Sequence, residues 1–417
     1  MQGNGNPSRI LVVGGGFSGL TAGIEAAETG SEVIIIDKNP YLGGRVAQLN
    51  KYFPKICPPL CGLEINFRRI KVNPLITFYT MAEVESISGE PGNYKVKIKI
   101  NPRYVNENCT ACNACAEACP VERISDFNFG LNKTKAIYLP FEQAFPQRYV
   151  VDRTVCPKDC PAPCVNACKY NAIDLKAQPD SLEVNVNSIV IATGWKPYDA
   201  SKIDNLGFGK VKNVITNMML ERLASKNGPT QGQILRPSDE KPVEKVAFVQ
   251  CAGSRDENHL PFCSYICCLA SLKHTLYIKE QNPSAEVTIF YIDIRTPGRY
   301  EKFLNNVKEQ TGVNLIKGKV AAVEQDSDSD DVVVTAEDML NGEKIKKRFD
   351  MVVLATGMQP EGFEFKVPGL KYAVDGFVID VDGIYSAGCA KSPMDVAGCG
   401  KDATSAALKA IQIGARR

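Results

Sequence analysis

Short apolar runs that end in glycine-rich turns, separated by stretches of helical composition, recur along this chain. Arg9–Val13 is apolar and runs into Gly14-Gly15-Gly16-Phe17-Ser18-Gly19; residues 20–30 (LTAGIEAAETG) read as a helix stopped by Gly30, and residues 31–37 (SEVIIID) as a second buried strand. Strand, helix and strand in that order predict a βαβ unit. Two later apolar runs, 188–195 (SIVIATGW) and 350–358 (DMVVLATGM), close on the same small-residue turn. Residues 246–250 (VAFVQ), 269–280 (LASLKHTLYIKE) and 286–293 (EVTIFYID) outline a further strand, helix and strand. The acidic run Asp326–Asp331 reads as a hairpin turn or loop.

Composition narrows this to a large globular α/β chain. With 417 residues, 44% hydrophobic and 23% charged, it can bury two or three globular cores, which excludes disorder and fibrous repeats. A net charge of +2 leaves no basic field for nucleic acid or a membrane surface. No run of about 18 uncharged apolar residues predicts a bilayer span. The opening MQGNGNPSRI has no apolar leader segment, so a cytoplasmic, reducing setting is expected. In that setting sixteen cysteines point to metal or redox chemistry rather than disulfides. Ten lie between Cys57 and Cys168, four between Cys251 and Cys268, and two are Cys389 and Cys399. With two histidines only, thiolate must supply most of the ligands, and thiolate selects zinc or iron–sulfur clusters.

The glycines of the first turn have distinct tasks. Gly14 allows a tight turn, Gly16 the close approach of a pyrophosphate at the helix N-terminus that includes Phe17 and Ser18, and Gly19 the packing of helix on strand. Asp37 follows by about 20 residues, where a carboxylate takes the ribose hydroxyls of a dinucleotide. The continuation Lys38-Asn39-Pro40-Tyr41-Leu42-Gly43-Gly44-Arg45 resembles the second glycine pair of two-dinucleotide-binding-domain flavoproteins, which approaches the FAD pyrophosphate. That resemblance favours FAD over NAD and extends to Ala192-Thr193-Gly194. Gly383-Ile384-Tyr385-Ser386-Ala387-Gly388 resembles the strand that closes over the flavin ribityl chain; family members usually carry Asp where this chain has Cys389. The following helix, expected from about Asp402 with Ala403 in its first turn, is placed to aim N–H groups at the isoalloxazine.

Between these FAD segments lies an insertion. Cys109-x2-Cys112-x2-Cys115-x3-Cys119-Pro120 has the bacterial ferredoxin spacing, whose fourth thiolate crosses to a neighbouring cluster. Cys156-x3-Cys160-x3-Cys164-x3-Cys168 is a wider second set, with Lys169 in place of the proline. If the crossing holds, one cluster uses Cys109, Cys112, Cys115 and Cys168 and the other Cys156, Cys160, Cys164 and Cys119; structural zinc is the alternative for both.

After residue 242 the chain enters the region where two-domain flavoprotein reductases bind NAD(P)H, yet the glycine fingerprint is missing. Cys251-Ala252-Gly253-Ser254-Arg255 stands there instead, followed by Cys263-x3-Cys267-Cys268. Such a turn is a poor nicotinamide site, and its four cysteines suit an iron–sulfur ligand set, one of the adjacent pair being the candidate for a buried small hydrophobe. Cys57-Pro58-Pro59-Leu60-Cys61 leaves three readings open: a redox pair, ligands to a further centre, or a structural loop. Arg68-Arg69-Ile70-Lys71 reads as a solvated face, with docking to an acidic partner as the alternative. His259 and His274 carry no pattern and read as structural.

Taken together, the FAD fingerprint, the inserted cysteines, residues 135–152 (KAIYLPFEQAFPQRYVVD) and residues 250–268 resemble the HdrA family of heterodisulfide reductase flavoproteins across almost the whole chain. Within it, residues 43–71 and an end at 417 without a further ferredoxin domain are most similar to the branch that occurs in quinone-interacting membrane-bound oxidoreductases. The resemblance implies an α/β two-dinucleotide-binding-domain flavoprotein of the thioredoxin/glutathione-reductase type with a ferredoxin-like α+β insertion. The expected plan is FAD-binding segments 1–100, 177–241 and 349–417, the insertion at 101–176 and an NAD-domain-like module at 242–348. It further implies FAD, three [4Fe-4S] clusters, the third on Cys251, Cys263, Cys267 and Cys268, and electron transfer to adenylylsulfate reductase from a quinone-linked membrane subunit. Implied partners are a sister flavoprotein, a haem-containing membrane subunit through which the chain attaches peripherally at the cytoplasmic face, and that reductase. The alternative is a free-standing NAD(P)H- or disulfide-dependent flavoreductase using Cys57 and Cys61.

Overall fold

The computed structural model describes residues 7–415, so residues 1–6, on which much of the leader expectation rests, lie outside it. β1 (Arg9–Val13) is buried beyond its first residue and forms the middle of a five-stranded parallel sheet. On one side of it lie Ser188–Ile191 and then Ile384–Ser386; on the other lie β2 (Glu32–Asp37) and then Ile76–Thr80. The register pairs Ile10 with both Ser188 and Val33, so strands distant in sequence meet at the first turn. Between β1 and β2 runs α1 (Phe17–Glu28), whose buried Leu20, Gly23, Ile24 and Ala27 recur at helical spacing. A three-stranded antiparallel sheet follows the same core. Its middle strand Asn93–Ile100 alternates lysine with buried Tyr94, Val96 and Ile98, the mark of a sheet with one wet face.

The second unit, Lys196–Gln359, repeats this plan. Its parallel sheet runs Val214–Thr216, Met351–Thr356, Lys245–Ala252, Glu286–Tyr291, Val313–Lys317, beside an antiparallel sheet of Val320–Gln325, Val332–Asp338 and Glu343–Phe349. This is the α/β class the strand and helix pattern implies. The unit is wider than residues 242–348 because Val214 pairs with Val352, which draws the flanking segments into the sheet. Asp326 to Asp331 turn the hairpin between two of the antiparallel strands.

Residues 101–176 of the first unit form short helices, Ala114–Ala118 and Pro163–Asn166, and two-stranded ladders around a small core. Cys115, Cys119 and Cys164 are part of that core, with Val105, Ile137, Tyr149 and Ala172. The last helix begins at Val396, not near Asp402. Asp395 is the reason: its Oδ1 accepts from the Gly398 N–H at 2.7 Å and starts the helix early. Among the described residues no helix is long and apolar enough to cross a membrane.

The second unit also encloses charge. Glu221 Oε1 lies 2.5 Å from Lys273 Nζ and 2.6 Å from His274 Nε2, all three side chains being buried. Burial works to raise the Glu221 carboxyl, but Lys273 and His274 outweigh it and hold the group below its ordinary range. Burial likewise lowers His274, only partly offset by Glu221. Both contributions to stability are full above the ordinary values, 6.5 for the imidazole and 4.5 for the carboxyl, and are lost as pH falls through the lowered folded-state values. Glu221→Gln removes the carboxylate both bases face and is expected to cost about 3–5 kcal/mol in denaturant unfolding. The same titrations should show the variant losing the part of the acid dependence that sets in below the carboxylate range.

Candidate functional site

At the carboxyl edge of the first sheet, the turn from β1 into α1 opens on a cleft. A Cβ on Gly19 would stand 1.8 Å from the Gly14 carbonyl oxygen, so only glycine lets the helix lie this close to the strand. Gly16 is different. Its φ of −75° is open to any residue and the nearest atom to a Cβ there is Gly44 Cα, 3.7 Å away. Its bare backbone therefore faces space rather than protein, at the N-terminus of a 12-residue helix, which is the arrangement a pyrophosphate requires. Gly43 donates its N–H to the Gly15 carbonyl at 2.8 Å, docking the second glycine pair onto the first.

Asp37 ends β2 with its carboxylate already oriented. Oδ2 accepts from Gly15 N at 2.7 Å, and Oδ1 accepts from Asn39 N at 2.7 Å and Asn39 Nδ2 at 2.9 Å. Burial pushes this carboxyl up, and the three donors work against that rise. Its remaining lone pairs are available to ribose hydroxyls. Arg45 is fixed by donating from Nε to the Trp195 carbonyl at 3.1 Å.

Of the residues singled out from sequence, Gly14, Gly16, Phe17, Ser18, Asp37, Lys38, Gly44, Arg45, Ala192, Thr193, Gly194 and Cys389 line this cleft. Gly19, Gly43 and Gly388 stand behind its wall, where they allow close backbone packing. Ala403 is fully buried in the core; because the last helix starts early, Val396 and Cys399 face the cleft in its place. Trp195, Glu361 and Phe365, not among the residues the sequence marks, also line the cleft. Glu361 reaches the site as the ion-pair partner of Lys38, and the Lys38 ammonium also lies 5.5 Å from the centre of the Phe365 ring. No local pattern announces either, since each is set by a contact across more than three hundred residues.

The first insertion cavity is lined by Cys109, Cys112, Cys115 and Cys168, with Val105, Tyr149 and Ile173 around them. Cys119 belongs to the other group: it influences the ionisation of both Cys156 and Cys164, as does Cys160. Burial first, then Cys109, pushes the Cys115 thiol up to about 12. Such thiols keep their protons until a metal displaces them, so metal binding here releases protons. Among the described residues no three His, Cys, Asp or Glu side chains converge on a single-ion site. A cubane holds its ligands around a larger core and does not require that.

In the second unit Cys251, Cys263, Cys267 and Cys268 are neighbours, each of the first two raising the buried Cys267 thiol, after burial itself. Both Cys267 and Cys268 are buried, at the start of the helix Cys267–Gln281. Between Ala252 and that helix the chain folds back across the strand ends. Ser254 Oγ lies 2.6 Å from Ser264 Oγ, and a Cβ on Gly357 would strike Ser254 Oγ at 2.3 Å. The side chains of Ser254 and Ser264 thus pack against the Gly357 backbone at this turn, which lacks the glycine fingerprint of a nicotinamide site.

Cys57 and Cys61 do not line the cleft. Cys61 is exposed near the start of the helix Leu60–Val72, and Tyr52 hydrogen-bonds Cys57. On that helix Arg68 pairs with Glu64, and Arg69 with Glu28 at 2.7 Å, so the basic stretch is partly neutralised by its neighbours. His259 Nδ1 lies 2.9 Å from the Tyr198 hydroxyl, a structural contact.

Comparison with known proteins gives the site a context. A model described as FAD dependent oxidoreductase matches residues 9–53. An HdrA-type iron-sulfur subunit of CoB–CoM heterodisulfide reductase from Methanopyrus kandleri is 38% identical over 419 residues, covering 96% of this chain and 64% of the relative. Its counterpart from Methanocaldococcus jannaschii is 39% identical over 403 residues, covering 93% and 61%. The chain therefore spans less than two thirds of the length of these relatives. Among solved structures, thioredoxin reductase of T. acidophilum aligns with a TM-score of 0.52 at 16% identity, covering 97% of each chain. That of Lactococcus lactis aligns with 0.53 at 12% identity, covering 98% of this chain and all of the other. These likenesses are of fold, and they place the chain among two-domain FAD/NAD(P) folds of the thioredoxin reductase type.

Gly16→Ala is expected to fold normally by circular dichroism, because nothing in the protein opposes the added methyl, yet to weaken flavin retention about tenfold or more, roughly 1.4 kcal/mol. Flavin absorbance per chain after gel filtration checks it.

Proposed function

On the premise that its relatives support the HdrA family of heterodisulfide reductases for this chain, we propose that it is an FAD-dependent iron–sulfur oxidoreductase subunit that transfers electrons. The observation that carries this reading is a pair of features within one compact unit. A cleft bares the Gly16 backbone, and a separate cavity brings Cys168 to the ferredoxin-spaced Cys109, Cys112 and Cys115. When bound, a flavin takes up two electrons together and passes them on singly, whereas an iron–sulfur cluster carries one at a time.

The chain's own residues do the positioning. The turn at Gly14–Ser18 presents amides to the pyrophosphate, Asp37 holds ribose hydroxyls, and Lys38, pinned by Glu361, closes one side of the cleft. Around the cysteines, Val105, Ile137, Tyr149 and Ala172 exclude water, which sets cluster potentials through burial and hydrogen bonds to sulfur. Cys119, Cys156, Cys160 and Cys164 form the second ligand set, and Cys251, Cys263, Cys267 and Cys268 the third. Three [4Fe-4S] clusters follow from these sets.

The finer reading is a place in the quinone-interacting membrane-bound oxidoreductase of sulfate reduction. There the chain works beside a sister flavoprotein and a haem-containing membrane subunit, on the cytoplasmic face, with adenylylsulfate reductase as electron acceptor. Residues 43–71, which include the Cys57/Cys61 segment, are what supports this branch. A flavoreductase acting through Cys57 and Cys61 would need those thiols against the flavin, and neither is on the cleft wall.

Anaerobically purified protein is expected to carry one FAD, about twelve irons and matching acid-labile sulfide. Cys115→Ser should remove about four irons and one reduced-state EPR signal while leaving the flavin. Zinc without sulfide, or rapid bleaching of the flavin by NADH in the isolated chain, would overturn the reading.

A further inference from the structure

Twelve of the cysteines fall into sets of four, but the two on the wall of the glycine-turn cleft do not. Cys389 and Cys399 line the cleft, with their sulfurs 3.6 Å apart, and are 6% and 8% exposed. Gly388 is what brings them together. With φ at +63°, it lets the chain turn so tightly that a Cβ there would lie 3.3 Å from Cys399 Sγ and 2.1 Å from Ser18 Oγ. The side chain of Ser18, on the same cleft wall, hydrogen-bonds Cys399. Cys389 Sγ also lies 3.6 Å from the Met394 carbonyl oxygen.

Among the described residues no third ligand-type side chain joins the pair in a metal-holding group. Two thiols in van der Waals contact are suited instead to closing a disulfide, whose bond of about 2.05 Å is reached by a small approach of the sulfurs. The pair is also asymmetric in the way such chemistry needs. Cys399 sits in the first turn of a 20-residue helix, whose N-terminus favours a thiolate, and hydrogen bonds from Cys389 and Ser18 hold its thiol below the usual range. Cys389 is held well above it by its bond to Cys399 and by burial. Burial shields both sulfurs from dissolved thiols and disulfides, so the electron partner must be whatever occupies the cleft.

We propose that Cys389 and Cys399 are a redox-active dithiol that exchanges two electrons with the flavin whose cleft they line. The inference rests on the flavin reading of that cleft. In the oxidising direction two S–H bonds break and one S–S bond forms; two electrons and two protons pass to the oxidised isoalloxazine, giving the dihydroflavin. The reverse step restores both thiols. The pair thereby stores one two-electron equivalent beside the flavin, separate from the single electrons on the clusters.

The test uses the flavin-loaded protein poised anaerobically in its oxidised and fully reduced states, with differential alkylation and peptide mass spectrometry as the readout. The expected result is a Cys389–Cys399 cross-link in the oxidised state and two alkylated thiols in the reduced state. Reductive titration of the same preparation should consume two electrons more per chain than Cys399→Ser or Cys389→Ser protein of equal flavin and iron content. Both thiols alkylated in both states, with flavin present, would overturn the proposal and leave the flavin reading intact. Equal cross-linking by oxidised glutathione after the flavin is stripped would overturn the flavin as electron partner. Purified protein that holds no flavin would overturn the underlying reading itself.

Discussion

The first unit depends on one contact: α1 lying against the end of β1 with no side chain between them at Gly19 and Gly14. From that contact follow the open backbone at Gly16, the direction of the helix N-terminus and the seat of the second glycine pair on Gly15. The cleft is thus made from what is missing. A single methyl at Gly19 would force the helix off the strand, whereas at Gly16 it would extend into the cleft and meet nothing nearer than Gly44 Cα at 3.7 Å. Two glycines three residues apart are kept for different physical reasons, one for the fold and one for the ligand.

A second constraint shapes the insertion. Thiolates that bind iron must be released from protons, yet the pocket that protects a cluster from water makes releasing them harder. Cys115 shows this, its thiol pushed to about 12 by the same burial that shields the site. A metal centre built on such thiols would assemble only where metal binding repays that penalty. The second unit meets the same demand differently. It reuses a parallel-sheet plan whose strand ends ordinarily receive a dinucleotide, but after the strand Lys245–Ala252 it carries a loop tied by Ser254 and Ser264, with Cys251, Cys263, Cys267 and Cys268, in place of the glycine fingerprint.

The three elements of the first βαβ unit were legible because their signals are local. β1, α1 and β2 follow from an apolar run, a glycine-rich turn and a 3.6-residue pattern, and the ferredoxin spacing confines its thiolates to one small region. Other features were not. The last helix starts at Val396 because the Asp395 side chain caps it, a cue hidden in the stretch Asp395-Val-Ala-Gly, and that shift exchanges Ala403 for Cys399 on the cleft wall. The reach of the second sheet to Val214–Thr216 is a strand pairing with no local signature.

What the sequence determined by itself was the chemistry available: a phosphate-cradling turn, an acid at the end of the second strand, and thiolates in sets of four. Residue types and short spacings carry that information, because ligand softness and backbone clearance are properties of a few neighbouring residues. The tertiary structure decided which of those groups meet. Glu361 pins Lys38 across more than three hundred residues, and Val214 pairs with Val352 to widen the second sheet. Such encounters depend on strand order and loop closure summed over the whole chain, and no window of the sequence contains them.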